Sequence, residues 1–274
     1  MVVHPIIFSV GPITVYSFGV MLAIAFLTAG SVVQRELDRK GLDPEVASSF
    51  VLWAAVGGLV GSRLFSLFDD WQGFVADPLA FIFTGAGFVF YGGLMGGFAT
   101  VSFVIWRRGL PWLRVTDCIA PGLAIGQSIG RIGCQLAGDG DWGKPSTLPW
   151  AMSYPNAIIG WERWVRDNGL PADVRVHPAP LYETFAYGLV FLALWWRRRS
   201  DHPDGSMLWL YLVLSGVVRF LVEFVRVNPP LVYGLSEAQL ISLALVAIGA
   251  VQIWRGAGSA ESVATPVRAN TPVP

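Results

Sequence analysis

Charge is scarce in this chain. Asp, Glu, Lys and Arg supply 14% of its 274 residues, as nineteen basic and nineteen acidic side chains that cancel to a formal net charge of zero. That balance offers nucleic acid no basic face, so nucleic acid is not expected as a partner. Cysteine is scarcer still. Cys118 and Cys134 share one apolar stretch at a separation that fits no zinc ribbon, CxxC pair or disulfide framework, and both read as small packing residues. A calcium loop is excluded too, because DGDWG at 139–143 lacks the later ligands and the terminal Glu. No metal is expected.

What the chain has in excess is apolar surface. Hydrophobic residues make up 54% of it, with twelve tryptophans, and the mean hydropathy is +0.55. A soluble domain of this length has no interior large enough to hide so much, so the expected class is an all-α polytopic membrane protein. Crossing about 30 Å of hydrocarbon takes roughly 20 apolar residues. About seven stretches meet or approach that length: 12–31, 46–68, 83–106, 117–136, 180–196, 206–225 and 235–254. The first has no basic segment before it and runs straight into a polar turn, so it reads as a retained span and not a cleaved signal.

Placement of the basic residues orients the spans. Arg35, Arg39, Lys40, Arg107, Arg108, Arg114, Arg197, Arg198, Arg199, Arg255 and Arg268 fall on one side. Lys144, Arg163, Arg166, Arg175 and Arg226 fall on the other, mostly in one long connection, where the bias counts less. The amino terminus is therefore expected outside and the carboxyl terminus in the cytoplasm. Residues 1–255 read as one integral-membrane domain. Within it, the connection at about 138–179, rich in Pro, Gly, Trp and Asn, reads as an ordered head on the outer face. The small, polar, Pro-containing tail 256–274 is expected to be disordered. Glycines in VGGLVGSRLF and YGGLMGGF read as close helix packing.

Three arginines remain inside the spans: Arg63, Arg131 and Arg219. Each costs about 2.5 to 3.5 kcal/mol on insertion scales, so several together call for a reason. Arg219 and Glu223 lie four apart on one helical face, with Arg226 three further along it. This is either a neutralising ion pair or the wall of a cavity that presents positive charge to an anion, with the carboxylate orienting the guanidinium. Arg131 has no acid at i+4, only Asp139 and Asp141 beyond a glycine-rich turn. A guanidinium forks two oxygens of a phosphate, and a lipid headgroup is the phosphate available at that depth. Gly130, Gly133, Gly138 and Gly140 would allow close approach. Asp117 is an N-cap or a functional acid. His177 sits in a loop before prolines, Tyr182 and Glu183 open a span at the outer interface, and Gly143 closes the DGDWG turn.

Six landmarks occur in order over residues 5–255: IIFSVGPITVYSFGVM, ADPLAFIFTGAGFVFYGGLMGG, VTDCIAPGLAIGQSIGRIG, LPWAMSYPN, HPAPLYE and VVRFLVEFVR. Together they resemble the bacterial prolipoprotein diacylglyceryl transferases. The resemblance implies a seven-helix enzyme of the bacterial cytoplasmic (inner) membrane. It would move the diacylglyceryl group of phosphatidylglycerol onto the lipobox cysteine thiol in the signal peptide of a prolipoprotein, releasing glycerol 1-phosphate. No metal or organic cofactor is implied; membrane lipids and prolipoprotein signal peptides are the expected partners. By resemblance Arg131 takes the place of the arginine that binds phosphatidylglycerol, with Gly130 and Gly133 beside it. Arg219 and Glu223 take the places of a second arginine and a nearby carboxylate, and Asp117 falls on an acidic position of the pattern. Asp139, Gly143, His177 and Tyr182 count as supporting residues.

The chain departs from the family pattern at Tyr91, where His is usual before the glycines, at Cys134 in place of Asn, at Phe18 in place of Tyr and at Asp139 in place of Glu. Tyr91 either takes the proton-handling role that His would fill, as a phenolate stabilised by neighbouring arginines, or hydrogen-bonds the phosphate, in which case Glu223 or His177 is the proton acceptor. The competing expectations are a transferase with another acceptor, a noncatalytic lipid-binding protein, and a transporter that uses the buried charges as a path.

Overall fold

The computed structural model describes residues 3–11, 13–78 and 89–263. They fold into two compact units, one running up to Ala25 and resuming at Leu123, the other lying between Phe26 and Gly122. The structure is mostly helical, and among the described residues four helices are long and apolar enough to cross a membrane.

The first unit begins with a departure from the all-α expectation. The chain opens with a hairpin, β1 (Ile6–Val10) and β2 (Ile13–Tyr16), paired antiparallel with Phe8 opposite Val15 and Ser9 opposite Thr14, and β2 takes residues expected to open the first span at 12–31. β-Branched residues crowd both sides of Gly11, whose φ of 57° is open to glycine at little cost, so the local preference is for strands. Helix α1 (Ser17–Arg39) starts only after them.

The described helices that follow are α2 (Val46–Asp69), α3 (Trp71–Ala76), α4 (Phe90–Arg107), α5 (Trp112–Ala137), α6 (Trp161–Asp167), α7 (Ala179–Arg197), α8 (Ser206–Glu223) and α9 (Glu237–Val263). The four apolar enough to span are α1, α2, α8 and α9. Helices α4, α5 and α7 cover the other stretches expected to span, although residues 79–88, where the third expected stretch begins, lie outside the described residues. Helix α9 runs to Val263, past residue 255 where the sequence reading ends the membrane domain; residues 264–274 also lie outside the description.

Between α5 and α7 the chain wraps its own small core. Trp142, Tyr154, Trp161 and Val176 are buried together with Val3, and Trp142 meets Trp161 edge to face with centroids 5.1 Å apart. Tyr154 donates to Gln135 Oε1 at 3.0 Å, which pins this core to the last turn of α5. The aromatic content that marked this segment as ordered is thus its packing.

In the second unit α2 and α4 meet through glycine. A Cβ on Gly61 would strike the Gly92 carbonyl and lie 2.9 Å from Gly96 Cα, and one on Gly96 would strike the Gly57 carbonyl. Thr100 Oγ1 donates across the contact to the Trp53 carbonyl at 2.7 Å. The backbones therefore touch directly, as the small-residue spacing predicts. Gly96→Leu should force the helices apart and cost about 1–3 kcal/mol or more, read as a lower unfolding midpoint in detergent beside a Leu introduced at Gly19, where a Cβ would meet nothing within 4 Å.

Candidate active site

Three elements of the first unit and the loop after α5 bring their charged side chains together. Arg131 comes from the last two turns of α5, Glu183 from the start of α7, Arg219 and Glu223 from the end of α8, and Arg226 from the residues just past it. Asp141 comes from the loop, where Gly138 and Gly140 take φ of 62° and 95° and so turn the chain back on α5.

Glu183 is the hub. Its side chain is fully buried, and its two oxygens face three guanidinium groups: Arg131 Nε at 2.9 Å, Arg219 Nη1 at 3.4 Å and Arg226 Nη1 at 3.6 Å. Glu223 pairs with Arg219 at 2.7 Å through Oε2. Its other oxygen accepts from Asn228 Nδ2 at 2.6 Å and Ser236 Oγ at 2.7 Å, which fixes its orientation. Asp141 bridges two arginines, taking Arg131 on Oδ2 and Arg226 on Oδ1. Arg226 Nη1 also donates to the Asp141 carbonyl at 3.2 Å. Charges balance in number, three guanidinium groups against the carboxylates of Asp141, Glu183 and Glu223. Exposure is uneven: Glu183 and Glu223 are closed off at 0% and 2%, while Asp141, Arg219 and Arg131 stay 28%, 23% and 22% exposed.

Burial alone would raise the Asp141 carboxyl, but the charges of Arg226 and Arg131 outweigh it and hold the group below the usual carboxylate range. Asp139 is raised, first by burial and then by the neighbouring Asp141 charge. The Asp141 ion pairs therefore contribute above the ordinary carboxylate pKa and are lost as pH falls through the lowered one. Cys134, Asp139 and Asp141 bring ligand atoms within 4.8 Å of one another. Both Asp141 oxygens are already engaged by guanidinium groups, and a cation there would face two positive charges.

The sequence pairs Arg219 with Glu223 correctly and leaves Arg131 with only loop acids; the structure gives Arg131 both Asp141 and Glu183. The sequence sets Arg226 on the Arg219–Glu223 face without a partner of its own and marks Glu183 only as an acid that opens a span. The signal was present, since Glu183 is an acid inside an apolar stretch and Arg226 shares the Glu223 face. Gly130 has open space where a Cβ would stand, whereas Gly133 packs on α1, with a Cβ there 3.1 Å from Met21 Cβ. Gly143 is a backbone junction: its N–H donates to the His177 carbonyl at 2.8 Å, and a Cβ would lie 2.7 Å from His177 Cβ. Next to it, the Lys144 N–H donates to the Val225 carbonyl at 2.7 Å. Tyr182 OH accepts from Trp150 Nε1 at 2.7 Å and lies 3.1 Å from His177 Nδ1. Cys134 is buried, with Sγ 3.9 Å from Arg131 Nη1.

Two candidates lie in the other unit. Tyr91, half-buried, stands in the first turn of α4. Asp117 is buried and paired with Lys40 at 3.3 Å. It is not an N-cap, because α5 begins earlier, at Trp112 after Pro111, and leaves Asp117 inside the helix.

The sequence profile of the prolipoprotein diacylglyceryl transferases matches residues 5–255. A phosphatidylglycerol--prolipoprotein diacylglyceryl transferase of Methylococcus capsulatus is 35% identical over 261 residues, covering 91% of this chain and 94% of that protein. Proteins of the same name from Nitratidesulfovibrio vulgaris and Clostridium tetani are 34% and 30% identical, over 96% and 89% of this chain and 97% and 94% of their own lengths. With the profile spanning nearly the whole chain and full-length relatives at this identity, the chain belongs to the prolipoprotein diacylglyceryl transferase family.

Proposed function

We propose that this protein transfers the diacylglyceryl group of phosphatidylglycerol to the lipobox cysteine of a prolipoprotein signal peptide and releases glycerol 1-phosphate. The observation that carries the reading is the meeting of Arg131 and Arg219, from separate helices, on the two oxygens of one buried carboxylate. The relatives' names supply the donor and the acceptor class.

The reaction is a displacement at the glyceryl carbon that carries the phosphate ester. The acceptor thiol loses its proton, its sulfur bonds to that carbon, and the carbon–oxygen bond to phosphate breaks with its electron pair leaving on oxygen. Charge grows on phosphate as the bond breaks, so donors fixed beforehand lower the barrier. Arg131 and Arg219 are assigned to the phosphate, with Gly130 leaving room beside Arg131. Glu183 and Glu223 hold the guanidinium groups in place, since both are buried and bound to them. Asp139, Gly133, Gly143, His177 and Tyr182 shape the surrounding loop and helix ends, and Asp117 acts through packing in the other unit.

Seven spans are proposed, the four apolar helices together with α4, α5 and α7, in the inner membrane with the amino terminus outside and the carboxyl terminus in the cytoplasm. The asymmetry of the basic residues supports that orientation, and it places the 138–179 head on the outer face, where secreted acceptors present their cysteine. Purified protein should move labelled diacylglycerol from phosphatidylglycerol to a lipobox peptide, with glycerol phosphate formed in equal amount. Lipid binding without glycerol phosphate release would overturn the reading.

Tyr91, as its phenolate, is proposed to take the thiol proton and become the neutral phenol. An unperturbed phenol titrates near pH 10 and an imidazole near 6.5. Tyr91→Phe should therefore lower turnover by about 10²–10⁴-fold. Tyr91→His should restore much of it, with the rise in rate moved to lower pH. A Tyr91→Phe enzyme with an unchanged pH profile would remove the phenol from the mechanism.

A further inference from the structure

Arg131, assigned to the phosphate, already carries a carboxylate, and so does its neighbour Arg226. Asp141 places one carboxylate oxygen on Arg131 and the other on Arg226, the two-pronged bridge that two oxygens of a phosphate would make with the same pair. Of the carboxylates in the cluster it is the most open, 28% exposed against 0% for Glu183 and 2% for Glu223. It is also the one carried by a loop and not by a helix, with Gly138 and Gly140 before it at positive φ and Gly143 after it. Glu183 and Glu223 have no such freedom: Glu183 is buried in α7, and Glu223 is held by Asn228 and Ser236 as well as by Arg219.

We propose that Asp141 is a built-in competitor for the organophosphate site: its carboxylate holds the phosphate position between Arg131 and Arg226 in the empty enzyme and leaves when a phosphodiester or phosphomonoester enters. Two consequences follow from charge. While the site is empty the arginines are never left unpaired, which avoids the cost of buried uncompensated cations. After transfer the same carboxylate competes with the departing glycerol phosphate and speeds its release, because it is tethered beside the site at high effective concentration. The assignment also makes Arg226 a phosphate ligand, which narrows the anion-facing reading of its helical face to one side chain and one partner. The lowered titration of Asp141 accords with a carboxylate that stays ionised and available for the exchange.

The proposal rests on the phosphate reading of the site, and its test keeps the two apart. Binding of glycerol 1-phosphate and of inorganic phosphate is measured by calorimetry on the full-length enzyme in nanodiscs, for wild type, Asp141→Asn, Asp141→Ala and Arg226→Gln. Removing the competing charge should tighten glycerol 1-phosphate binding in both Asp141 variants by about ten- to a hundredfold, the range for a charged hydrogen-bonded pair. In turnover, KM for phosphatidylglycerol should fall, and kcat should fall with it as product release slows. Arg226→Gln should weaken binding. A residue that merely positioned Arg131 would give the reverse, with weaker phosphate binding and a raised KM in both Asp141 variants, and that result would overturn the proposal. Unchanged affinity in both variants would overturn it too. If no enzyme, wild type included, binds either phosphate while the fold is intact, the phosphate reading itself fails.

Discussion

Arg131→Lys should cut diacylglyceryl transfer by about 10²–10³-fold, the usual loss when one fixed donor to a developing anion is removed. The substitution keeps a positive charge, so a purely Coulombic role predicts little change. Geometry predicts otherwise. Arg131 uses Nε on Glu183 and Nη1 on Asp141 at the same time, which holds the guanidinium plane at a set angle. An ammonium has no plane and cannot fork two phosphate oxygens while keeping an interhelical pair. The loss should fall mainly on kcat, because the phosphate gains charge only as the ester bond breaks. An Arg131→Lys enzyme of near-normal kcat would show that only charge matters at this position.

Glu183→Gln should be more damaging than its distance from the reacting carbon implies. The variant keeps the size of the side chain and removes its charge, leaving Arg131, Arg219 and Arg226 around a neutral group that is fully buried. Breaking a buried ion pair in this way costs about 3–5 kcal/mol. The guanidinium groups would then turn toward Asp141 and Glu223, the carboxylates left in the cluster. Transfer should fall at least as far as in Arg131→Lys, with a lower unfolding midpoint. Glu183→Asp should recover stability but not turnover, since one methylene less draws the carboxylate away from arginines on two other segments. Normal activity in Glu183→Gln would remove the hub from the account.

The parts of this architecture that read clearly from sequence are those set by local pattern. Apolar length located the helices, and the Gly-rich runs at 57–61 and 92–96 marked a helix contact that the structure places at backbone distance. Arg219 and Glu223 were legible because a helix turns four residues onto one face. The hairpin was not, since its β-branched residues are apolar and merge with the following helix in any hydropathy reading. Glu183 escaped for another reason. Its partners lie 52, 36 and 43 positions away, at Arg131, Arg219 and Arg226, and pairing over such separations is set by the packing of helices, which no short window contains. The same holds for Asp117, whose partner Lys40 sits on another helix end, while its N-cap reading failed because Pro111 starts the helix a turn earlier.

The central claim is that guanidinium groups from different helices act as one phosphate receptor, and a double-mutant cycle on Arg131→Gln and Arg219→Gln, read in transfer from phosphatidylglycerol, tests it most directly. If the two arginines grip one phosphate, the second substitution should cost little once the first has been made, so the double variant falls far short of the product of the single losses. Losses that multiply in full would mean that the arginines serve separate ligands, and the account of the site would be wrong.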